Sequence, residues 1–128
     1  MNILITGGSG FLAEGLIEAL LPQATTIRLL SRGEHRQAEL SSRFNSPKLR
    51  WLIGDVRDPQ RLRTAADGVT HLIHAAALKR IEVGAYNPEE MVKTNVQGTS
   101  NVIAAVRAAK VGKVLLISSD KAVQPVSP

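Results

Sequence analysis

The sequence has no cysteine among its 128 residues, and only 3% of them are aromatic. Without cysteine the chain can form neither disulfide bonds nor metal sites with thiolate ligands, which fits a reducing cytoplasm. Few aromatic side chains argue against a nucleic-acid surface that works by base stacking. There is no signal-peptide pattern and no apolar run of about 20 residues, so we expect no membrane-spanning segment.

Positive charge is concentrated in the middle of the chain. From Arg28 to Arg63 there are nine arginine or lysine residues and four acidic ones, whereas residues 1–27 have only Glu14 and Glu18 as charged side chains. A basic segment suits an anionic ligand with several phosphates and suits a solvated surface equally well, so charge alone leaves both open. Hydrophobic residues make up 44% of the chain, which is typical of a globular domain with a hydrophobic core.

Short apolar runs alternate with helical stretches along the chain. The predicted strands are residues 2–6, 26–30, 49–53, 69–74 and 113–118. The predicted helices are residues 10–21, 33–44, 59–66 after the N-cap Asp58, and 88–109 between Asn87 and Gly112. Strands separated by helices run parallel, and right-handed crossovers give the order 3-2-1-4-5. We therefore predict an α/β fold, a Rossmann-type doubly wound parallel sheet, as one domain over residues 1–128.

A glycine turn joins the first strand to the first helix. Gly7 permits a tight turn, Gly10 lets the backbone approach a pyrophosphate, and Ala13 allows close packing of helix on strand. The positive end of the helix, at Phe11 and Leu12, attracts phosphates. These residues predict a dinucleotide site; the alternative is a turn that binds nothing.

The end of the second strand indicates which dinucleotide is bound. A carboxylate there usually accepts hydrogen bonds from the ribose of NAD, but this chain has Ser31, Arg32 and Arg36. A guanidinium and a hydroxyl suit a 2′-phosphate, so NADP is the predicted cofactor and NAD the alternative. In that alternative both arginines are surface charges and Glu34 reaches the ribose.

Further candidate cofactor contacts follow the third and fourth strands. Asp55 and Val56 are predicted at the adenine ring, where Asp55 either accepts from the exocyclic amine or caps a turn. The fourth strand is followed by small side chains that would let a flat cofactor lie against the backbone: Ala75, Ala76 and Ala77. Lys79 and Asn95 are also candidates, although either could instead be an ordinary exposed side chain.

The last predicted strand is followed by Ser119, Asp120 and Lys121. In open α/β sheets ligands bind at the carboxyl ends of strands, so this acid and this amine would lie beside the dinucleotide. That placement predicts catalysis in addition to binding. The alternative is a solvated turn.

Together these motifs resemble an extended short-chain dehydrogenase/reductase. Four stretches, residues 74–79, 86–88, 93–102 and 118–125, narrow the resemblance to the polysaccharide-biosynthesis branch, which includes UDP-N-acetylglucosamine 4,6-dehydratases that invert C5. The resemblance covers nearly all of the chain. It implies a UDP-sugar substrate, a homo-oligomer when full length, and no nucleic-acid partner.

The resemblance also implies roles for the last motif. Lys121 would abstract the C5 proton, Asp120 would protonate the departing 6-hydroxyl, and Ser119 would lie near the group that binds the C4 oxygen. Such a lysine needs a lowered pKa and such an aspartic acid a raised one. Neighbouring strand residues point to opposite faces, so both can act on one sugar only if the chain leaves strand geometry after about Ser118.

In this branch a Tyr-x-x-x-Lys motif begins a few residues after Pro125, and its tyrosine would follow Pro128 directly. The resemblance therefore implies that the chain is truncated and consists of an N-terminal cofactor domain without the substrate domain. Such a chain would bind cofactor but would not convert substrate. Two alternatives keep the fold: a nucleotide-sugar epimerase or ketoreductase, and a non-catalytic module that senses NADP(H).

Overall fold

The computed structural model describes residues 1–7, 11–75 and 96–117. Its strands are β1 (Asn2–Thr6), β2 (Thr26–Ser31), β3 (Leu49–Ile53), β4 (His71–His74) and β5 (Lys113–Leu116). Its helices are α1 (Phe11–Leu20), α2 (Glu34–Arg43), α3 (Pro59–Ala66) and α4 (Gly98–Ala109). The strands form one parallel sheet in the order β3-β2-β1-β4-β5. The predicted doubly wound fold and its strand order are confirmed.

Strand β1 is the centre of the core, because its alternating side chains are covered on both faces of the sheet. On one face Leu4 belongs to the same apolar cluster as Val102 of α4. On the other face Ile3 and Ile5 pack in a second cluster with Ile17 of α1. Full burial of each such side chain contributes about 1.5–3 kcal/mol. The helices therefore flank the sheet on two sides, and the carboxyl end of β1 lies between them.

The register of the sheet brings the ends of the central strands level. Thr6, the last residue of β1, pairs with Leu30 of β2 and with His74 of β4. On the other side of β2, Ser31 pairs with Ile53 of β3. Parallel strands share their direction, so the chain leaves the strands at one edge of the sheet, where ligands of this fold bind.

The start of α3 follows the sequence prediction. The Asp58 carboxylate accepts hydrogen bonds from the backbone N–H groups of Gln60 and Arg61, and Pro59 occupies the first turn. A side-chain cap of this kind satisfies donors that have no partner within the helix.

Helix α4 ends at Ala109, as predicted, and Gly112 follows its end, although Gly112 does not cap it. The C-cap of the helix is Lys110, in the left-handed region at φ 56°, and its N–H donates to the Val106 carbonyl. Gly112 instead donates its N–H to Thr70 O. The predicted start of this helix at residue 88 and its cap Asn87 lie outside the described residues.

Two strands are shorter than predicted. Val69 donates its N–H to Ala66 O and so closes the turn after α3, which leaves His71 as the first residue of β4. Strand β5 ends at Leu116, although Ile117 still donates its N–H to His74 O. Along β5, the edge strand of the sheet in the described part of the chain, the side chains of Val114, Leu115 and Leu116 are about half exposed.

Candidate functional site

The turn after β1 lies at the point where the strand order reverses, with β2 on one side and β4 on the other. Gly7 has a left-handed backbone with φ 78°, and its N–H donates to Leu30 O over 2.8 Å. A side chain is strained in that conformation, which is why glycine is required there. The chain enters α1 at Phe11, so the helix N-terminus lies next to this switch point. Such a crevice suits an anionic ligand.

Several sequence-predicted residues fall outside the described part of the chain: Gly10, Ala76, Ala77, Lys79, Asn95, Ser119, Asp120 and Lys121. Leu12, half-buried, lies in the first turn of α1. The other candidates are placed at the carboxyl ends of four adjacent strands, β3, β2, β1 and β4: Gly7, Ser31, Arg32, Asp55, Val56 and Ala75. Arg36 lies further on, in the first turns of α2. The structure therefore brings the strand-end candidates to one edge of the sheet.

Ser31 is held by Gln37, a residue that the sequence motifs did not indicate. The Nε2 atom of Gln37 donates to Ser31 Oγ and to the Leu52 carbonyl, each over 2.8 Å. Gln37 is 4% exposed, and both bonds are partly buried. Its spacing of three from the buried Leu40 places it on the inner face of α2, and that is the signal that could have found it.

Asp55 links two arginines. Its carboxylate accepts from the side chain of Arg57 at 2.9 Å and from the Arg57 backbone N–H at 2.9 Å, and Arg32 Nη1 lies 3.8 Å from its Oδ2. Burial raises the pKa of Asp55, but the hydrogen bonds and charge of Arg57 outweigh burial and hold it below its usual value. Asp55 thus caps a turn, one of the two predicted possibilities.

Arg36 is engaged by carboxylates. Its guanidinium lies 2.8 Å from Glu14 Oε1 on α1 and 3.1 Å from Glu39 Oε2 on α2. Arg43 shares Glu14 at 3.0 Å. This network ties α1 to α2, so it gives Arg36 a structural role that the sequence pattern did not indicate.

Val56 is a core residue. Its side chain is 6% exposed and belongs to the cluster of Leu4 and Val102. A Cβ added to Gly98 of α4 would come within 2.8 Å of Val56 Cγ2, and the Asn101 side chain donates to Val56 O over 3.0 Å. Any ligand at this position would meet the backbone of Val56 and not its buried side chain.

The end of β4 is fixed to the end of β1 by a buried polar contact. Thr6 Oγ1 lies 2.6 Å from His74 Nδ1, and the Ala75 N–H donates to Thr6 O at 3.0 Å. Burial lowers the pKa of His74. The ring is therefore neutral at pH 7, and its hydrogen bond links β4 to β1.

No group of three or more histidine or acidic side chains is close enough to hold a metal ion within residues 1–7, 11–75 and 96–117. In the same part of the chain, no helix is long and apolar enough to cross a bilayer.

Comparison with known proteins identifies the family. The sequence profile of the family described as "Polysaccharide biosynthesis protein" matches residues 3–128. The chain belongs to this family. Apart from Asn2, the first residue of β1, the match covers all of the strands and helices described above.

Individual relatives of this family member carry more specific names. The chain is 44% identical over 128 residues to the UDP-N-acetylglucosamine 4,6-dehydratase (inverting) of Campylobacter jejuni, covering 98% of the chain and 38% of that protein. It is 38% identical over 131 residues to the UDP-glucose 4-epimerase of Rickettsia rickettsii, with coverage of 98% and 38%. The chain therefore spans 38% of the length of these curated relatives.

A solved structure gives the same fold. The dTDP-glucose 4,6-dehydratase DesIV from Streptomyces venezuelae, determined with NAD bound, superposes with a TM-score of 0.81 at 30% identity. The superposition covers 89% of this chain and 38% of DesIV. The Rossmann-type sheet of this family member thus matches that of a known dehydratase.

Proposed function

We propose that this chain is the cofactor-binding part of a nucleotide-sugar 4,6-dehydratase that acts on a UDP-N-acetylhexosamine and inverts C5. The observation that carries the proposal is the similarity, along 98% of the chain, to the inverting dehydratase of Campylobacter jejuni. The sequence adds an acid, a base and a hydroxyl in one motif after β5. We propose further that the protein is cytoplasmic and that it forms homo-oligomers when full length.

The described edge of the sheet fits a dinucleotide. Gly7 and Gly10, with Phe11 and Leu12 at the N-terminus of α1, would hold the pyrophosphate. Asp55 and the backbone of Val56 would meet the adenine. The remaining contacts would come from the residues after β4 and from the chain before α4: Ala75, Ala76, Ala77, Lys79 and Asn95. A nicotinamide cofactor, when bound, supplies reversible hydride transfer.

NADP is the proposed form of the cofactor, and its support comes from the residues around Arg32. The Arg32 side chain is 56% exposed and lies 3.8 Å from Asp55, a loose pairing that a phosphate can replace at little cost. Arg36 already has two carboxylate partners at 2.8 and 3.1 Å, so its share in phosphate binding is smaller. DesIV binds NAD, and the proposal is that this chain differs from it at the end of β2.

The acid–base steps are assigned to the motif after β5. Lys121 removes the proton from C5, Asp120 gives a proton to the departing 6-oxygen, and Ser119 hydrogen-bonds the C4 oxygen. Each residue must hold the correct protonation state at neutral pH, which requires a lowered pKa for the lysine and a raised one for the aspartic acid.

The experiment is to incubate the full-length protein with UDP-N-acetylglucosamine and to identify the product by NMR and mass spectrometry. We expect a 4-keto-6-deoxy sugar that has lost one water. Lys121→Met should abolish elimination and leave cofactor binding intact, whereas Lys110→Met, at an exposed helix end, should leave both unchanged.

A second candidate is a nucleotide-sugar 4-epimerase, which the similarity to the Rickettsia UDP-glucose 4-epimerase favours. The same incubation separates the two, because an epimerase inverts C4 without loss of water. Simple C4 inversion would refute the dehydratase and establish the epimerase.

The cofactor is tested separately by comparing the affinities for NADP and NAD in the full-length protein. We expect Arg32→Ala to lower the NADP/NAD affinity ratio about tenfold or more, since a hydrogen-bonded charge pair contributes roughly 1.5–3 kcal/mol. Arg36→Ala should have a smaller effect. An unchanged ratio in Arg32→Ala would refute the NADP assignment and leave the dehydratase proposal standing.

A further inference from the structure

Gln37 is an unusual residue for the inner face of a helix. It is 4% exposed, and three residues further along α2 Leu40 is 1% exposed on the same side. Burying an amide in such surroundings is unfavourable unless each polar group is hydrogen-bonded. The two hydrogen bonds that Gln37 makes satisfy its amide nitrogen and offset part of this cost.

The orientation of the Gln37 amide is determined by its two partners. The Leu52 carbonyl can only accept, so the atom that faces it at 2.8 Å is the amide nitrogen and not the amide oxygen. The same nitrogen lies 2.8 Å from Ser31 Oγ, where it directs its second hydrogen. Ser31 is therefore the acceptor in this pair, and its own O–H must point away from Gln37.

Ser31 is the last residue of β2 and precedes Arg32, the proposed phosphate ligand. A hydroxyl that already accepts from an interior amide is biased to act as a donor toward its other neighbours. Phosphate oxygens only accept, whereas a ribose hydroxyl can both donate and accept. The orientation of Ser31 thus favours a phosphate group at this position.

We propose that Gln37 is a positioning residue for cofactor discrimination: it holds Ser31 as a hydrogen-bond donor to the 2′-phosphate of NADP. The inference rests on the proposed NADP site and names a residue that does not itself touch the ligand. Loss of the Gln37 amide releases Ser31 from this orientation and weakens the binding of NADP more than that of NAD.

The test measures the affinities of NADP and NAD by titration calorimetry in the full-length protein and in Ser31→Ala, Gln37→Met and the double variant. Methionine is close to glutamine in volume and has no amide. We expect each single variant to lower the NADP/NAD ratio about tenfold, as for one charge-assisted hydrogen bond, and the double variant to lower it no further.

Two control variants separate positioning from stability. Leu40→Val, on the same buried face, should lower the melting temperature without changing the ratio. Ser42→Ala, exposed on the same helix, should change neither. A purely structural Gln37 would change stability alone.

The outcomes distinguish this inference from the proposed cofactor. If the wild-type protein prefers NADP through Arg32 but Ser31→Ala leaves the ratio unchanged, the inference is wrong and the cofactor assignment stands. Ser31→Ala can therefore overturn the inference even if Gln37→Met does not fold. If the effects of Ser31→Ala and Gln37→Met on the NADP/NAD ratio are additive, the inference is also wrong, because the two residues then act independently. If the wild-type protein does not prefer NADP, both the NADP assignment and the role of Gln37 are wrong. The dehydratase proposal is tested separately, by the identity of the reaction product.

Discussion

The hydroxyl of Thr6 and Nδ1 of His74 lie 2.6 Å apart at the buried ends of β1 and β4. The same hydroxyl lies 3.2 Å from the Ala75 backbone nitrogen, which donates to it. One side-chain contact therefore joins the ends of two strands beside the glycine turn, and a positive charge on His74 would be buried there.

A pH dependence of stability follows from His74. Its pKa is lowered by burial, so the unfolded chain binds the proton more readily than the folded one. The free energy of unfolding should be at its full value above the ordinary histidine pKa of about 6.5 and fall as pH drops below it. Urea unfolding at pH 7.5 and 5.5 measures this. The decrease in unfolding free energy from pH 7.5 to pH 5.5 should be smaller in His74→Gln. It should be unchanged in His35→Gln, because the His35 side chain is 92% exposed.

The Asp55 carboxylate both caps a turn through a hydrogen bond and forms ion pairs with arginines. Two substitutions separate the contributions of these interactions to stability. Asp55→Asn keeps an acceptor for the Arg57 N–H but loses the charge, which should cost about 0.5–1 kcal/mol for a partly exposed pair. Asp55→Ala loses both and should cost about 1–2 kcal/mol. Equal losses of unfolding free energy in the two variants would contradict this division. Because the pKa of Asp55 is lowered, its contribution is present above the ordinary aspartate value and lost as pH falls below it.

Gly98 allows α4 to approach Val56 closely. Since an added Cβ would lie 2.8 Å from Val56 Cγ2, Gly98→Ala should reduce the free energy of unfolding by about 1–3 kcal/mol. Shortening the opposing side chain should relieve the overlap, so Val56→Ala combined with Gly98→Ala should lose less than the sum of the single losses. Chemical denaturation of the three variants gives the coupling; strict additivity would show that the two residues do not compete for this space.

Lys110 ends α4 with a left-handed backbone at φ 56°. Lys110→Gly should be more stable than Lys110→Ala by about 1 kcal/mol, because both lose the charge and only alanine retains the strained Cβ. Gly112→Ala is the matched control. Its Cβ would lie at an ordinary 3.5 Å from Thr70 O, so thermal unfolding should change little. A Lys110→Gly variant no more stable than Lys110→Ala would contradict the strain at this position.

Local sequence patterns predicted those features whose causes lie within a few residues. The bounds of β1, β3 and α3 agree with the prediction, the last because Asp58 and Pro59 together define a helix start. The end of α4 at Ala109 also agrees with the prediction. Its C-cap was not predicted, because the cap is Lys110 while a long-range hydrogen bond holds Gly112 to Thr70. The acid–base motif after β5 stays a prediction.

The sequence by itself determined the order of strands and helices, and with it the strand order, because the period of apolar residues and the hand of crossovers are local properties. Only the tertiary structure decided which polar side chains meet. Gln37 reaches Ser31, Arg36 is taken by Glu14, and Val56 turns into the core, because these pairs join residues distant in the chain or depend on which face of an element packs inward. Hydrophobic periodicity indicates that a face is buried but not what lies opposite it, so the partners required the packed fold.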